Sequence, residues 1–163
     1  MIYLTVGTHD QQFNRLVSCV DELKGSGVIE DDVIIQSGFC DCIIKYCENK
    51  KIFAYNEMMD KFSKARIIIS HGGPSTIIQA LSFGKIPIVV PRSKLYGEHV
   101  NDHQIKFCRM LNERQNNIIL VENIADLENT ILNYDKLAAQ KKISEFGNNS
   151  KFIEGFQKIV DEL

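Results

Sequence analysis

The sequence contains no run approaching the ~18 apolar residues that a membrane-spanning helix needs. Its opening, MIYLTVGTHD, has no basic stretch ahead of an apolar one, so a signal peptide is not expected. Charge of one sign is also missing: the formal net charge is −2, which argues against general nucleic-acid binding. Cysteines number five, an odd count, at positions 19, 40, 42, 47 and 108. Cys40-Asp41-Cys42 is C-x-C rather than C-x-x-C, and no second pair has zinc spacing. Reduced thiols in a cytosolic chain are the natural reading. There is no Gly-Lys-Ser/Thr P-loop and no G-x-G-x-x-G fingerprint. Internal repeats, low-complexity runs and linkers are missing too.

What is present suits one α/β domain. The chain has 163 residues, 44% hydrophobic and 25% charged, which is enough for a proper core. Short apolar β-branched runs at 2–6, 33–35, 67–69, 86–90 and 118–121 read as buried strands. Ile43-Ile44 and Ile52-Phe53-Ala54 are further strand candidates. Between the runs lie helical patterns. Asp10 can cap a helix whose core face is Phe13, Leu16, Val17, Val20 and Leu23. Residues 56–65, 75–83 and 100–111 follow, and Asn123 can cap another. From about Tyr134 the tail reads as helical, with a break near Gly147-Asn148-Asn149. Its last piece carries an apolar stripe of Phe152, Phe156, Ile159 and Leu163, which could pack on its own domain or dock on a partner. Strand alternating with helix predicts a Rossmann-like parallel sheet with helices on both faces.

The chain is organised around residues 67–92, IIISHGGPSTIIQALSFGKIPIVVPR. A strand breaks at Gly72-Gly73, Pro74 suits the first helical position, and Gly84 suits a left-handed cap. The amides of Ser75 and Thr76 then sit at the positive end of a helix dipole, beside glycines that let a ligand approach closely. Spacing alone leaves two readings open, a phosphate site and an ordinary strand-to-helix turn. Four polar turns follow strands: Gly7-Thr8-His9, Gln36-Ser37-Gly38, His71 to Thr76, and residues 92–104. A parallel sheet brings them to one rim, where ligands bind. Glycines, hydroxyls and imidazoles suit a nucleotide diphosphate, and the acidic pair of a metal-bound phosphate is missing.

Three blocks carry a resemblance. They are His71-Gly72-Gly73-Pro74-Ser75-Thr76, Gly84-Lys85-Ile86-Pro87 through Arg92, and Glu98-His99-Val100-Asn101-Asp102-His103-Gln104. Together they resemble the glycosyltransferase family 28 C-terminal domain, the donor-binding half of a GT-B enzyme. The start, Thr5-Val6-Gly7-Thr8-His9-Asp10-Gln11-Gln12-Phe13, is similar to the PssE-type small catalytic subunits of two-part bacterial polysaccharide glycosyltransferases. The eukaryotic subunit that helps add a second GlcNAc to a dolichol-linked sugar is also similar.

The resemblance implies roles. Gly7 and Thr8 would flank the donor diphosphate, with Ser37 and Gly38 as a second loop near the phosphates. The backbone at Tyr55 would read uracil. His71, Gly72, Gly73, Ser75 and Thr76 would hold the phosphate at the helix start. His103 and Gln104 would bind hydroxyls of the sugar, with His99 on the same rim. The wider family has a ribose-gripping glutamate where Gln79 stands, so Gln79 loses the charge-assisted bond, or Glu98 supplies it. His9 is a candidate for electrostatic help to the leaving group, or else a turn residue bonding backbone. Glu98 and Asp102 are candidate bases, or ordinary loop and helix-start acids. All four histidines, His9, His71, His99 and His103, lie in rim turns; three as zinc ligands is the alternative, and His99-x-x-x-His103 fits one helix face. GT-B chemistry needs no metal, so no cofactor is expected beyond the UDP-sugar donor.

The implied activity is inverting transfer of a hexose, galactose favoured, from a UDP-sugar to a lipid-diphosphate-linked saccharide in capsule or exopolysaccharide synthesis. The alternatives are a UDP-GlcNAc transferase subunit and a non-catalytic accessory module. The chain is too short for two Rossmann domains, so the resemblance implies a membrane-anchored PssD-type partner that supplies the acceptor site. That would put the protein in the cytoplasm, peripheral to the membrane through this partner.

Overall fold

The computed structural model describes the backbone of residues 1–143 and 149–162, and the side chains of residues 1–143 and 154–162. Six strands form one sheet in the order β3-β2-β1-β4-β5-β6. They are β1 (Ile2–Thr5), β2 (Val33–Gln36), β3 (Glu48–Lys50), β4 (Ile67–His71), β5 (Ile88–Val90) and β6 (Ile119–Leu120). Every adjacent pair is parallel. The chain order reverses between β1 and β4, which is the switch point of a doubly wound, Rossmann-like sheet.

Both faces of the sheet are covered, which is why its strands read as unbroken β-branched runs. Along β1, Ile2 and Leu4 join one core cluster and Tyr3 joins the other. The first cluster takes Leu16, Val17 and Val20 of α1 (Asn14–Gly25), and the second takes Phe62 of α2 (Tyr55–Lys64). α3 (Pro74–Ser82) follows β4, and α4 (His103–Gln115) follows β5. After β6 come a short turn over Ile124–Asp126, capped by Asn123, then α5 (Leu127–Leu132), α6 (Tyr134–Ala139) and α7 (Asn149–Asp161). α7 packs on α4. Phe156 meets Phe107 edge-on at 5.4 Å, Ile159 is buried, and Arg114 grips the Glu162 carboxylate with two bonds. Phe156 and Ile159 therefore serve the chain's own core rather than a partner. Gly147, Asn148 and Leu163 lie outside the described residues, as does the Phe152 side chain.

Several local expectations are corrected, each by a polar side chain that captures backbone groups. Asp10 does not cap α1, which starts only at Asn14. The carbonyls of Gln11 and Gln12 accept from the Arg92 guanidinium instead, so the chain stays in a loop. Ile43-Ile44 is not a strand. The buried Asp21 carboxylate accepts from the amides of Lys45, Tyr46 and Cys47, and the ladder begins only at Glu48. Burial opposes ionisation of Asp21, but these donors outweigh it and hold its carboxyl below the usual range. Residues 52–54 also leave the sheet, because the Phe53 amide bonds to Gln36 Oε1 at 3.2 Å. α4 begins at His103, not Val100: Asn101 Oδ1 accepts from the His103 amide, and Asp102 turns to the Lys94 amide. His99 thus lies outside the helix and shares no helix face with His103.

Candidate functional site

At the switch point the loops after β1 and β4 close on one imidazole. Gly7 leaves β1 with φ +74°, and a Cβ there would stand 2.6 Å from His71 Cε1. A Cβ on Gly73 would land on His71 Nε2. Two glycines from two loops therefore clamp the ring, and neither position tolerates a side chain. A third loop joins them: Gly38, at φ +55°, would put a Cβ 2.9 Å from the Gly7 carbonyl oxygen. Beside it Ser37 is buried, with its amide on the Lys50 carbonyl.

Burial, aided by the Arg92 charge and the nearby His9 and His99, lowers the His71 pKa to about 4. The ring is therefore neutral at ordinary pH. Its Nδ1 is buried without a hydrogen-bond partner among the described residues. Directly behind it α3 begins. Pro74 occupies the first helical position, and the Ile77 amide bonds to the Gly73 carbonyl at 3.2 Å. The amides of Ser75 and Thr76 have no partner among the described residues, as a helix start leaves them. Ser75 is exposed and Thr76 half-buried. This end of α3 is a set of aimed donors in a positive field.

A second group flanks the first. His9 stacks on His99 with centroids 4.7 Å apart and planes 22° from parallel. His9 Nε2 pairs with Gln11 Oε1 at 2.8 Å, so His9 bonds a neighbouring side chain rather than capping backbone. His99 Nδ1 accepts from the Asn101 amide, and burial, then His9 and Arg92, lower its pKa. Gln104 Oε1 accepts from both the Gly72 and Arg92 amides at 3.1 Å, tying the ends of β4 and β5 together. That oxygen is committed to backbone, which leaves the amide nitrogen as the group Gln104 can offer a ligand.

The remaining expected residues are dispersed. Glu98 has no exposed surface. Both its oxygens bond Arg15 at 2.9 Å and one accepts from the Ser93 amide, so it is neither a base at the rim nor a ribose grip. Asp102 is exposed and accepts from the Lys94 amide at 2.9 Å. Thr8 and His103 are exposed at the rim. Tyr55, 66% exposed, opens α2. Gln79 lies one turn along α3 from Ser75 and donates to Ser82 Oγ at 3.2 Å. Among the described residues no group of three or more His, Cys, Asp or Glu could hold a metal ion. Sequence alone assigns no role to Arg92 or Arg15. The available clue was an arginine set directly after a buried strand, where a charged side chain needs internal partners.

A glycine-clamped imidazole beside an open helix start, at the switch point of a parallel sheet, is the context in which the family match falls. The model of the glycosyltransferase family 28 C-terminal domain matches residues 1–163. The chain belongs to this family. Over 56 residues it is 36% identical to the UDP-N-acetylglucosamine transferase subunit ALG13 of Yarrowia lipolytica (strain CLIB 122 / E 150). That stretch is 34% of this chain and 26% of the relative, so the likeness spans about a quarter of the curated protein. Among solved structures, the glycosyltransferase SnogD from Streptomyces nogalater aligns with 98% of this chain and 42% of its own, at 14% identity and a TM-score of 0.49. No helix among the described residues is long and apolar enough to cross a membrane.

Proposed function

We propose that this chain is the donor-binding subunit of a UDP-sugar glycosyltransferase. The observation that carries the reading is the His71 clamp between Gly7 and Gly73, with the unpaired Ser75 and Thr76 amides beside it, in a member of the glycosyltransferase family 28 C-terminal domain. The diphosphate lies against the start of α3. Glycines let it reach the backbone, and the helix dipole takes the charge that builds on departing UDP. Neutral His71 and the His9–His99 pair add hydrogen bonds without competing for a metal. No metal or other cofactor is required in this reading.

The sugar is a hexose. Galactose and N-acetylglucosamine are the two candidates, the second favoured by the name of the Yarrowia relative. That name is of a subunit, which supports a partner that supplies the acceptor site. We take the partner to be a membrane-anchored PssD-type chain and the acceptor a lipid-linked saccharide at the cytoplasmic face. The base that activates the acceptor hydroxyl is Asp102 or His9 on this chain, or a partner group.

Calorimetric titration with UDP, ADP and GDP, with and without Mg²⁺, tests the reading. UDP binds alone among the three and without metal, and Ser75→Ala, which keeps the amide and removes the exposed hydroxyl beside it, weakens it roughly tenfold or more, the loss of a hydrogen bond to a charged group. Full affinity in a folded Gly73→Ala variant, whose Cβ lands on the His71 ring, sinks the assigned site. UDP-galactose against UDP-N-acetylglucosamine then decides the sugar. A second reading, an accessory module without turnover, is favoured by Gln79, which has no carboxylate and bonds Ser82. Turnover by the co-expressed pair that vanishes in Ser75→Ala excludes it.

A further inference from the structure

Arg92 follows β5, one residue past Pro91, and has no exposed surface. Its Nη1 donates to the carbonyl oxygens of Gln11, Gln12 and Glu98 at 2.9, 3.0 and 3.1 Å. Nη2 donates to the Val6 carbonyl at 2.8 Å, and the guanidinium carbon stands 4.9 Å from the Phe13 ring centroid. None of these partners is a carboxylate. The nearby Glu98 carboxylate is held by Arg15. The two arginines therefore share one buried acid, and the other acid that acts on Arg92, Asp10, is largely solvated. Burying such a charge is expensive. The arrangement asks for a reason beyond packing.

We propose that Arg92 is a positioning residue for the donor diphosphate: it fastens the loop after β1 to the loop after β5 and keeps a positive charge directly behind His71. This deepens the nucleotide-sugar reading above and rests on it. Val6, Gln11 and Gln12 belong to the loop that carries Gly7, Thr8 and His9, while Glu98 precedes His99. The His9–His99 stack joins the same two loops at the surface. Arg92 is the internal fastening under that stack. A planar guanidinium donates in several fixed directions at once, whereas a lysine ammonium is a compact point charge. The two duties, geometry and charge, can thus be separated by substitution.

The experiment uses the full chain with Arg92→Lys and Arg92→Met. Folding is checked by urea denaturation, UDP affinity by calorimetry, and His9 and His99 by imidazole NMR without nucleotide. The charges around His99 are His9, Arg92 and His103. Arg92→Met raises the His99 titration midpoint, since a neighbouring cation is gone, and weakens UDP at least thirtyfold. Arg92→Lys leaves that midpoint near wild type but shifts the His9 and His99 resonances and weakens UDP about tenfold. Folded variants that bind UDP within threefold of wild type overturn the proposal. If Arg92→Met does not fold, Arg92→Lys decides alone: UDP affinity within threefold of wild type overturns it. If the wild type binds no nucleotide, the nucleotide-sugar reading fails by itself. The NMR arm then still decides the fastening, which unmoved resonances in Arg92→Lys would refute.

Discussion

The two ends of the sheet treat their polar groups in opposite ways. At the amino ends of the strands, Arg66 pairs with both Asp31 and Asp135, and the Met1 ammonium pairs with Asp31 at 3.4 Å. A groove of about 360 Å³ runs along this edge, lined by Val28, Ile29, Asp31, Arg66, Ile131 and Asp135 among others. Its arginine meets two aspartates as ion pairs open to solvent on at least one side. At the carboxyl ends, a neutral imidazole is clamped by glycines, helix amides stand unpaired, and a buried cation bonds carbonyls rather than acids. A concave surface is thus not what marks the proposed site. The marks are polar groups held out of balance, at a cost that folding alone does not require.

The sharpest way to break this contrast is to add one methyl group at each end. Gly7 and Gly27 both have positive φ, +74° and +80°. A Cβ at Gly27 meets nothing within 4 Å, but at Gly7 it meets the His71 ring. Gly27→Ala should cost about 1 kcal/mol for the left-handed backbone and leave UDP affinity unchanged. Gly7→Ala should cost about 3 kcal/mol, adding displacement of a buried ring to the same strain, and should weaken UDP more than a hundredfold. Urea denaturation and calorimetry on the two variants measure both effects. Equal losses of affinity would mean that the clamp is not part of the site.

Protonation offers a second, smaller break. With a folded pKa of about 4 against an ordinary 6.5, the unfolded chain takes a proton on His71 before the folded chain does. Stability contributed by the neutral ring is fully present above pH ~6.5 and falls as pH drops toward ~4. A His71→Asn variant loses this slope while keeping one polar contact, so its stability should vary less between pH 7 and 5 than wild type. Urea midpoints across that range check the sign. Identical slopes would show that His71 titrates normally.

How legible each end was in the sequence follows from what fixes it. The strands of the core were readable because Ile67, Ile68 and Ile69 are buried whichever face they meet. Pro74 and Gly84 marked the ends of α3 by their own backbone chemistry. β3 was not readable. Glu48, Asn49 and Lys50 are exposed, and only backbone pairing with β2 makes them a strand. The rim was half readable: Gly7, His71 and Gly73 announced a tight turn, whereas Glu98 gave no sign that it is buried against Arg15, 83 positions away. Arg92 reaches Val6 across 86 positions, and no local pattern encodes such a bond. Side chains that act on their own turn can be read from spacing; those that bridge distant loops cannot.

The weakest perturbation tests the amino edge itself. Arg66 is 46% exposed and its partner Asp135 is 83% exposed, so water screens their attraction. Exposed pairs of this kind are worth roughly 0–1 kcal/mol. Hydrogen bonding to Arg66 nevertheless holds the Asp31 carboxyl below its usual range, with burial opposing and the Arg66 and Met1 charges assisting. Any stability this pair adds is therefore present above the ordinary aspartate range and is lost as pH falls through the lowered folded value. Arg66→Ala should cost about 0.5 kcal/mol near neutral pH, less in high salt, and nothing in UDP affinity. The same substitution at Arg92 would remove a cation of equal charge with a far larger effect. If urea midpoints showed Arg66→Ala to be as damaging as Arg92→Met, burial would no longer separate the two arginines. The rim would then have no electrostatic distinction from the opposite edge.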